Sequence, residues 1–258
     1  MNNLHNITVP LPGAEAERRN GGVEILPRAP TLPDRLRAEW KLKLLLTVVL
    51  NVWVYGPYRF LQHHHFFPAY TMPETFCDRL IPFSDLVVWL YLSIYLLMPI
   101  GPFLMNRRRQ ILRYALGIAL IGVTADLVFL FWPTCCPRPV GAGTNATYRM
   151  LVGIDNPFHA FPSLHAAFAV YSASCGALVL REMRGHSGWS PVLWFWTLLI
   201  LFGTLATKQH MVWDIIAGSL LGLAAYFVVF GFRRSPAETS ARLALASQFP
   251  NATNTTPS

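Results

Sequence analysis

The run NPFHAFPSLHAAFAV, residues 156–170, places a serine and a histidine at the lip of an apolar stretch. From residue 164 onward the chain is apolar enough for a membrane helix, so Ser163 and His165 fall where a span meets the interface. Polar side chains at that position ask for partners. They lie further on, in TKQHMVWDIIAG, residues 207–218.

The 258-residue chain is 53% hydrophobic and 13% charged. That is too apolar for an ordinary soluble domain and suits a polytopic membrane protein. Six runs are long and apolar enough to span: 42–61, 83–105, 111–132, 164–181, 191–207 and 211–232. The fold expected is an all-α bundle of six transmembrane helices. The catalytic membrane domain covers 39–234, between flexible cytoplasmic tails at 1–38 and 235–258. No apolar core of a cleavable signal peptide precedes the first run, which therefore acts as its own targeting signal. Gly56-Pro57, Pro99 and Pro102 mark kinks, tolerable where neighbours satisfy the freed backbone groups. PDRLRAEWKLK, residues 33–43, reads as a short interfacial helix feeding the first span.

The formal net charge of +8 does not indicate nucleic acid, because the basic residues sit between apolar runs rather than on one face. Sixteen of the 21 Lys and Arg residues fall in the N-terminal tail, the second–third and fourth–fifth loops and the C-terminal tail. The other side receives Arg59, Arg79, Arg138, Arg149 and Lys208. This positive-inside bias makes both termini cytoplasmic. Arg138, Ser163, His165, Lys208 and His210 then share the non-cytoplasmic face, at one membrane depth.

His210 and Asp214 are four apart at the start of the sixth run, on one helical face. A carboxylate there can fix the imidazole tautomer and leave the other nitrogen free to attack. His165 lies in the first turn of the fourth run, and the N-termini of both helices attract anions. Ser163 supplies a hydroxyl and a helix cap. Two histidines, an orienting carboxylate and the cations Arg138 and Lys208 describe phosphoryl transfer, with one histidine as nucleophile and the other protonating the leaving oxygen.

Here the chain resembles a known family. CPRPV (136–140), FPSLH (161–165) and HMVWD (210–214) resemble the three signature motifs of the type 2 phosphatidic acid phosphatase superfamily, which includes the vanadium haloperoxidases. The resemblance runs over about 70–230 and takes in IPFSDLVVWLYLSIYLL, residues 81–97. It implies that Arg138 binds phosphate, that His210 becomes a phosphohistidine, that His165 is the general acid and that Asp214 orients His210; beside Arg138, the residues themselves add the Ser163 hydroxyl and the Lys208 charge to the expected phosphate site. It implies no cofactor and no metal. Three positions depart from the family pattern: Phe131 and Thr204 stand where it has cations, and Leu164 where it has glycine. The departures, with FPSLH and TKQH, are more similar to the branch containing inositol phosphorylceramide synthases. A phosphodiester carries less charge than a phosphomonoester, so fewer cations lean toward a head-group transferase, although Lys208 can replace a missing one.

The expected substrates and partners are membrane lipids, with water or a lipid alcohol as acceptor. The expected location is a bacterial inner membrane with the site facing the periplasm. The lipid, the acceptor and the oligomeric state stay open. The alternative function is a non-enzymatic anion or lipid transporter using the same charged pocket. It would need broken helices near the midplane, whereas these residues cluster at one face.

Other features read as structural. The run 63–65 of three histidines is an interfacial polar stretch rather than a metal site. Gly218 and Gly222 form a close helix contact within the bundle. Asn145-Ala-Thr147 is a chance glycosylation sequence. Asp126 is a support for Arg138 or another polar partner. Cys77 either bridges to Cys135 or Cys136 or stays a thiol, and Cys175 is structural.

Overall fold

In a computed structural model the structure describes residues 30–64, 66–139, 143–183 and 185–231. Most of the two tails, with Arg18, Arg19, Arg28, Arg233, Arg234 and Arg242, lies outside the described residues, as do His65 and Arg184. The chain is mainly helical. A short helix α1 (Leu32–Arg37) precedes α2 (Trp40–His63), as the basic sequence before the first span predicts. The other long helices are α7 (Arg108–Phe131), α9 (Leu164–Glu182), α10 (Ser190–Ala206) and α11 (Val212–Phe230).

Among the described residues, these five long helices, α10 with its leading 3-10 turn Ser187–Trp189, are long and apolar enough to cross a membrane. Their outward faces carry Leu44, Val52, Leu116, Phe195 and Val228, all exposed. Side chains of that kind belong in hydrocarbon, so the chain is an integral membrane protein.

The run 83–105 departs from the expected continuous span. It folds as three short helices, α4 (Val88–Leu92), α5 (Ile94–Leu97) and α6 (Ile100–Leu104). Pro99 and Pro102 have no N–H to continue the ladder. At the first break, the Ser93 hydroxyl donates to Leu90 O at 2.7 Å and accepts from Trp196 Nε1 at 2.9 Å. The last carbonyls of α6 are taken by cations: Arg35 donates to Leu104 O at 3.0 Å and Lys43 to Phe103 O at 3.0 Å. That is how two charged side chains are accommodated in buried positions.

Helix α9 is the axis of the bundle. The share of its apolar window that is buried is 78%, against 11% for α2 at the periphery. Its small Ala, Ser and Gly residues let α11, α10, α7 and α6 pack on it. Gly218 and Gly222 meet α9 as expected. A Cβ at Gly218 would collide with the Ser163 carbonyl oxygen, and one at Gly222 with that of Ala167.

The two loops on the motif-bearing face are joined by a short parallel pairing of β1 (Tyr70–Thr71) with β2 (Thr134–Cys135). They also carry α3 (Phe76–Leu80) and α8 (Ala146–Ile154). Asn145 caps α8, its side chain accepting from Thr147 N and Tyr148 N. All four cysteines are free, so Cys77 does not bridge to Cys135 or Cys136. Cys136 packs instead with Met72, Ala160 and Met211, and burial pushes its thiol up to about 12.

Candidate functional site

The start of α9 and the start of α11 are bound to each other. Ser163 N donates to Asp214 O at 3.0 Å, and the Ser163 hydroxyl caps α9 by accepting from Ala166 N at 3.2 Å. Ser163 is fully buried in this capping role. The contact brings the imidazoles of His165 and His210 to 6.1 Å between ring centroids. Both line one cavity of about 170 Å³, together with Tyr55, Tyr58, Tyr91 and Tyr95.

His210 is oriented by a backbone group that its sequence neighbourhood does not announce. Its Nδ1 bonds the Ala160 carbonyl at 3.1 Å, while the Asp214 carboxylate stands 3.7 Å away. Asp214, fully buried, accepts from Met211 N at 2.8 Å. With Nδ1 so engaged, Nε2 is the nitrogen left for chemistry. The strand–loop segment that presents Ala160 is pinned on both sides: His159 N donates to Thr134 O at 2.7 Å and Phe161 N to Thr134 Oγ1 at 2.8 Å.

The cations also adjoin His210. Arg138 and Lys208 line a second cavity of about 290 Å³ with Glu74, Asp78 and His210. Arg138 donates to Asp155 O at 2.6 Å and pairs with the Asp155 carboxylate at 3.4 Å. Its carboxylate partner is therefore Asp155, not Asp126. Asp155 also accepts from Tyr58 Oη at 2.9 Å and Gln62 Nε2 at 2.6 Å. Lys208 donates to the carbonyls of Asp78 at 2.6 Å and Ile81 at 2.7 Å, where it closes the end of α3. Two amides at the start of α11 are occupied: Val212 N donates to Asp78 Oδ1 at 2.9 Å and Met211 N to Asp214. Two carboxylates thus hold two of the amides at this helix start.

The six residues singled out in the sequence, Arg138, Ser163, His165, Lys208, His210 and Asp214, therefore lie around the joined starts of α9 and α11. The sequence reading missed Asp155, Asp78, Tyr91 and the Ala160 carbonyl. Tyr91 and Tyr95, four apart, stood inside the stretch that carries the resemblance, and Asp155 directly precedes the opening run. Of the histidines at 63–65, His64 bonds its own helix at Phe60 O and stacks on Phe60.

Fold and site define an integral membrane protein with a histidine pair and two cations gathered at one end of its bundle. The chain belongs to the PAP2 superfamily, whose family model matches residues 61–228. No curated protein and no solved structure matches it. Members of the superfamily are generally phosphatases, so membership points to an enzyme of phosphatase-type phosphoryl transfer.

Proposed function

We propose that the protein transfers phosphoryl groups on lipid phosphates at the non-cytoplasmic face of a bacterial inner membrane, within a six-span bundle whose termini are cytoplasmic. The observation that carries this reading is the 6.1 Å approach of His165 and His210 on one cavity, with Arg138 and Lys208 beside His210. His210 Nε2 attacks phosphorus and the P–O bond to the lipid breaks. His165 gives its proton to the leaving oxygen, and a phosphohistidine remains. An acceptor hydroxyl then gives its proton to His165, attacks phosphorus and releases His210. Arg138 and Lys208 offset the charge on the phosphoryl oxygens. Asp214 stabilises the imidazolium character of His210 through space. The missing cations at Phe131 and Thr204 favour a head-group transferase over a phosphatase.

Purified protein is incubated with labelled lipid phosphates, with and without an alcohol-bearing lipid. Free phosphate identifies water as acceptor, and a new phospholipid identifies the transferase. His210→Ala loses turnover of both the lipid and an activated aryl phosphate. His165→Ala loses the lipid, whose alkoxide needs a proton, far more than the aryl phosphate, whose leaving group is a stable anion. Near-normal activity of His210→Ala would refute the reading.

A further inference from the structure

We infer that Tyr91 is a positioning residue for His165: its hydroxyl accepts the Nδ1–H of that imidazole and so keeps Nε2 as the one nitrogen that exchanges a proton in both half-reactions. The inference rests on the acid–base role proposed for His165 and goes beyond it.

Three contacts carry it. The Tyr91 hydroxyl stands 3.3 Å from His165 Nδ1. The phenol ring lies against the imidazole, with centroids 4.1 Å apart and planes 24° from parallel. Tyr95 closes a second side edge-on at 6.4 Å, and its own hydroxyl meets that of Tyr55 at 3.0 Å. His165 Nε2, by contrast, is buried with no hydrogen-bond partner among the described residues. The imidazole is thus held by its ring face and by Nδ1, while the free nitrogen belongs to a side chain lining the cavity shared with His210.

Tyr91 is itself held in place. It is 1% exposed, and helix α4 packs so closely on α10 that a Cβ at Gly203 would stand 2.8 Å from Tyr91 N. The break after α4 is fixed by the bond from Trp196 to Ser93. The segmented second span therefore has a use: it sets a rigid phenol beside the imidazole.

Proton bookkeeping assigns the donor. In the first half-reaction the imidazolium loses the Nε2 proton to the leaving oxygen as the P–O bond breaks and the bond to His210 forms. The neutral ring that remains must carry its proton on Nδ1, so that Nε2 can take the acceptor's proton in the second half. A phenol oxygen is an acceptor that stabilises Nδ1–H in both states. At 3.3 Å the contact is long, as catalytic hydrogen bonds often are before substrate binds.

The test is Tyr91→Phe, which keeps the stacked ring and removes only the acceptor. On a natural lipid phosphate kcat falls by roughly tenfold or more, as part of a general acid's contribution. KM is little changed, and the loss on an activated aryl phosphate is much smaller. In a His165→Ala background the same substitution adds nothing, because its effect passes through that imidazole. Tyr91→Gln, whose amide oxygen can accept, recovers part of the rate. A Tyr91→Phe protein that loses both substrates equally, or whose loss persists in full beside His165→Ala, would overturn the inference. So would an unchanged kcat on the lipid. Thermal unfolding of each variant separates a folding defect from these outcomes. If His165→Ala itself fails to separate the two substrates, the acid–base reading fails. If it separates them and Tyr91→Phe does not, only the role of Tyr91 fails.

Discussion

Arg138 and Asp155 form an ion pair beside His210, 3.4 Å apart and largely shielded from solvent. Asp155 is shared, since Tyr58 and Gln62 also donate to it. Asp155→Asn keeps an acceptor for the phenol and removes the charge that orders the guanidinium. We expect kcat/KM to fall about tenfold, or ~1.4 kcal/mol, without loss of the folded state. Steady-state kinetics together with thermal unfolding check this. An unchanged kcat/KM would show that Arg138 needs no such support.

The 3.7 Å separation of His210 Nδ1 from Asp214 sets a second expectation. The Ala160 carbonyl remains to hold the tautomer when the carboxylate is neutralised. Asp214→Asn therefore costs turnover less than His210→Ala does, though still heavily through a weaker imidazolium. A ranking of kcat for the two variants decides it, and equal loss would assign the tautomer to Asp214 instead.

Cys77 and Cys136 should differ sharply toward a thiol reagent. Cys77 is exposed, whereas burial pushes the Cys136 thiol up to about 12. The reagent attacks the thiolate, which for Cys136 is scarce at neutral pH and grows only as pH climbs toward its raised value. Mass spectrometry of the folded protein should find label on Cys77 and not on Cys136 at about pH 8. Rapid modification of Cys136 there would contradict its packing with Met72, Ala160 and Met211.

Gly218→Ala drives a methyl group toward the Ser163 carbonyl oxygen at the joint between α11 and α9. We expect a loss of about 1–3 kcal/mol, as for other overpacked contacts. It is read as a lower Tm in detergent. A Tm equal to that of the parent would mean that the two helix starts can separate without strain.

The proposed six-span topology places single cysteines at Arg108 and Thr144 on opposite sides of the membrane. Labelling with an impermeant reagent on sealed vesicles tests it. Modification of both from the same side would mean that α7 does not cross.

Much of this was legible in the sequence because span position is a local property. A run of apolar residues of sufficient length declares itself without knowledge of its neighbours. Five of the six runs became long helices, with ends close to those expected, as with 164–181 for α9 (Leu164–Glu182). The remaining run, 83–105, broke at residues the sequence displays, Pro99 and Pro102, and also at Ser93, whose break depends on a tryptophan from α10. The candidate histidines were legible for a similar reason: their spacing to helix starts is written in the chain, and topology alone brings those starts to one face.

What only the tertiary structure decided is which groups touch the candidate side chains. Asp214 looks like the partner of His210 because it is four residues away, yet Nδ1 bonds a carbonyl contributed by Ala160. Asp126 was a candidate for Arg138, and Asp155 holds it. Tyr91 meets His165 only because α4 packs tightly on α10 beside Gly203. The physical reason is common to all three. Apolar runs and helical spacing are summed over many residues near in sequence. A hydrogen bond depends on a few tenths of an ångström between atoms far apart in it, and a backbone carbonyl is present at every residue, so nothing in the sequence marks the one that will be used.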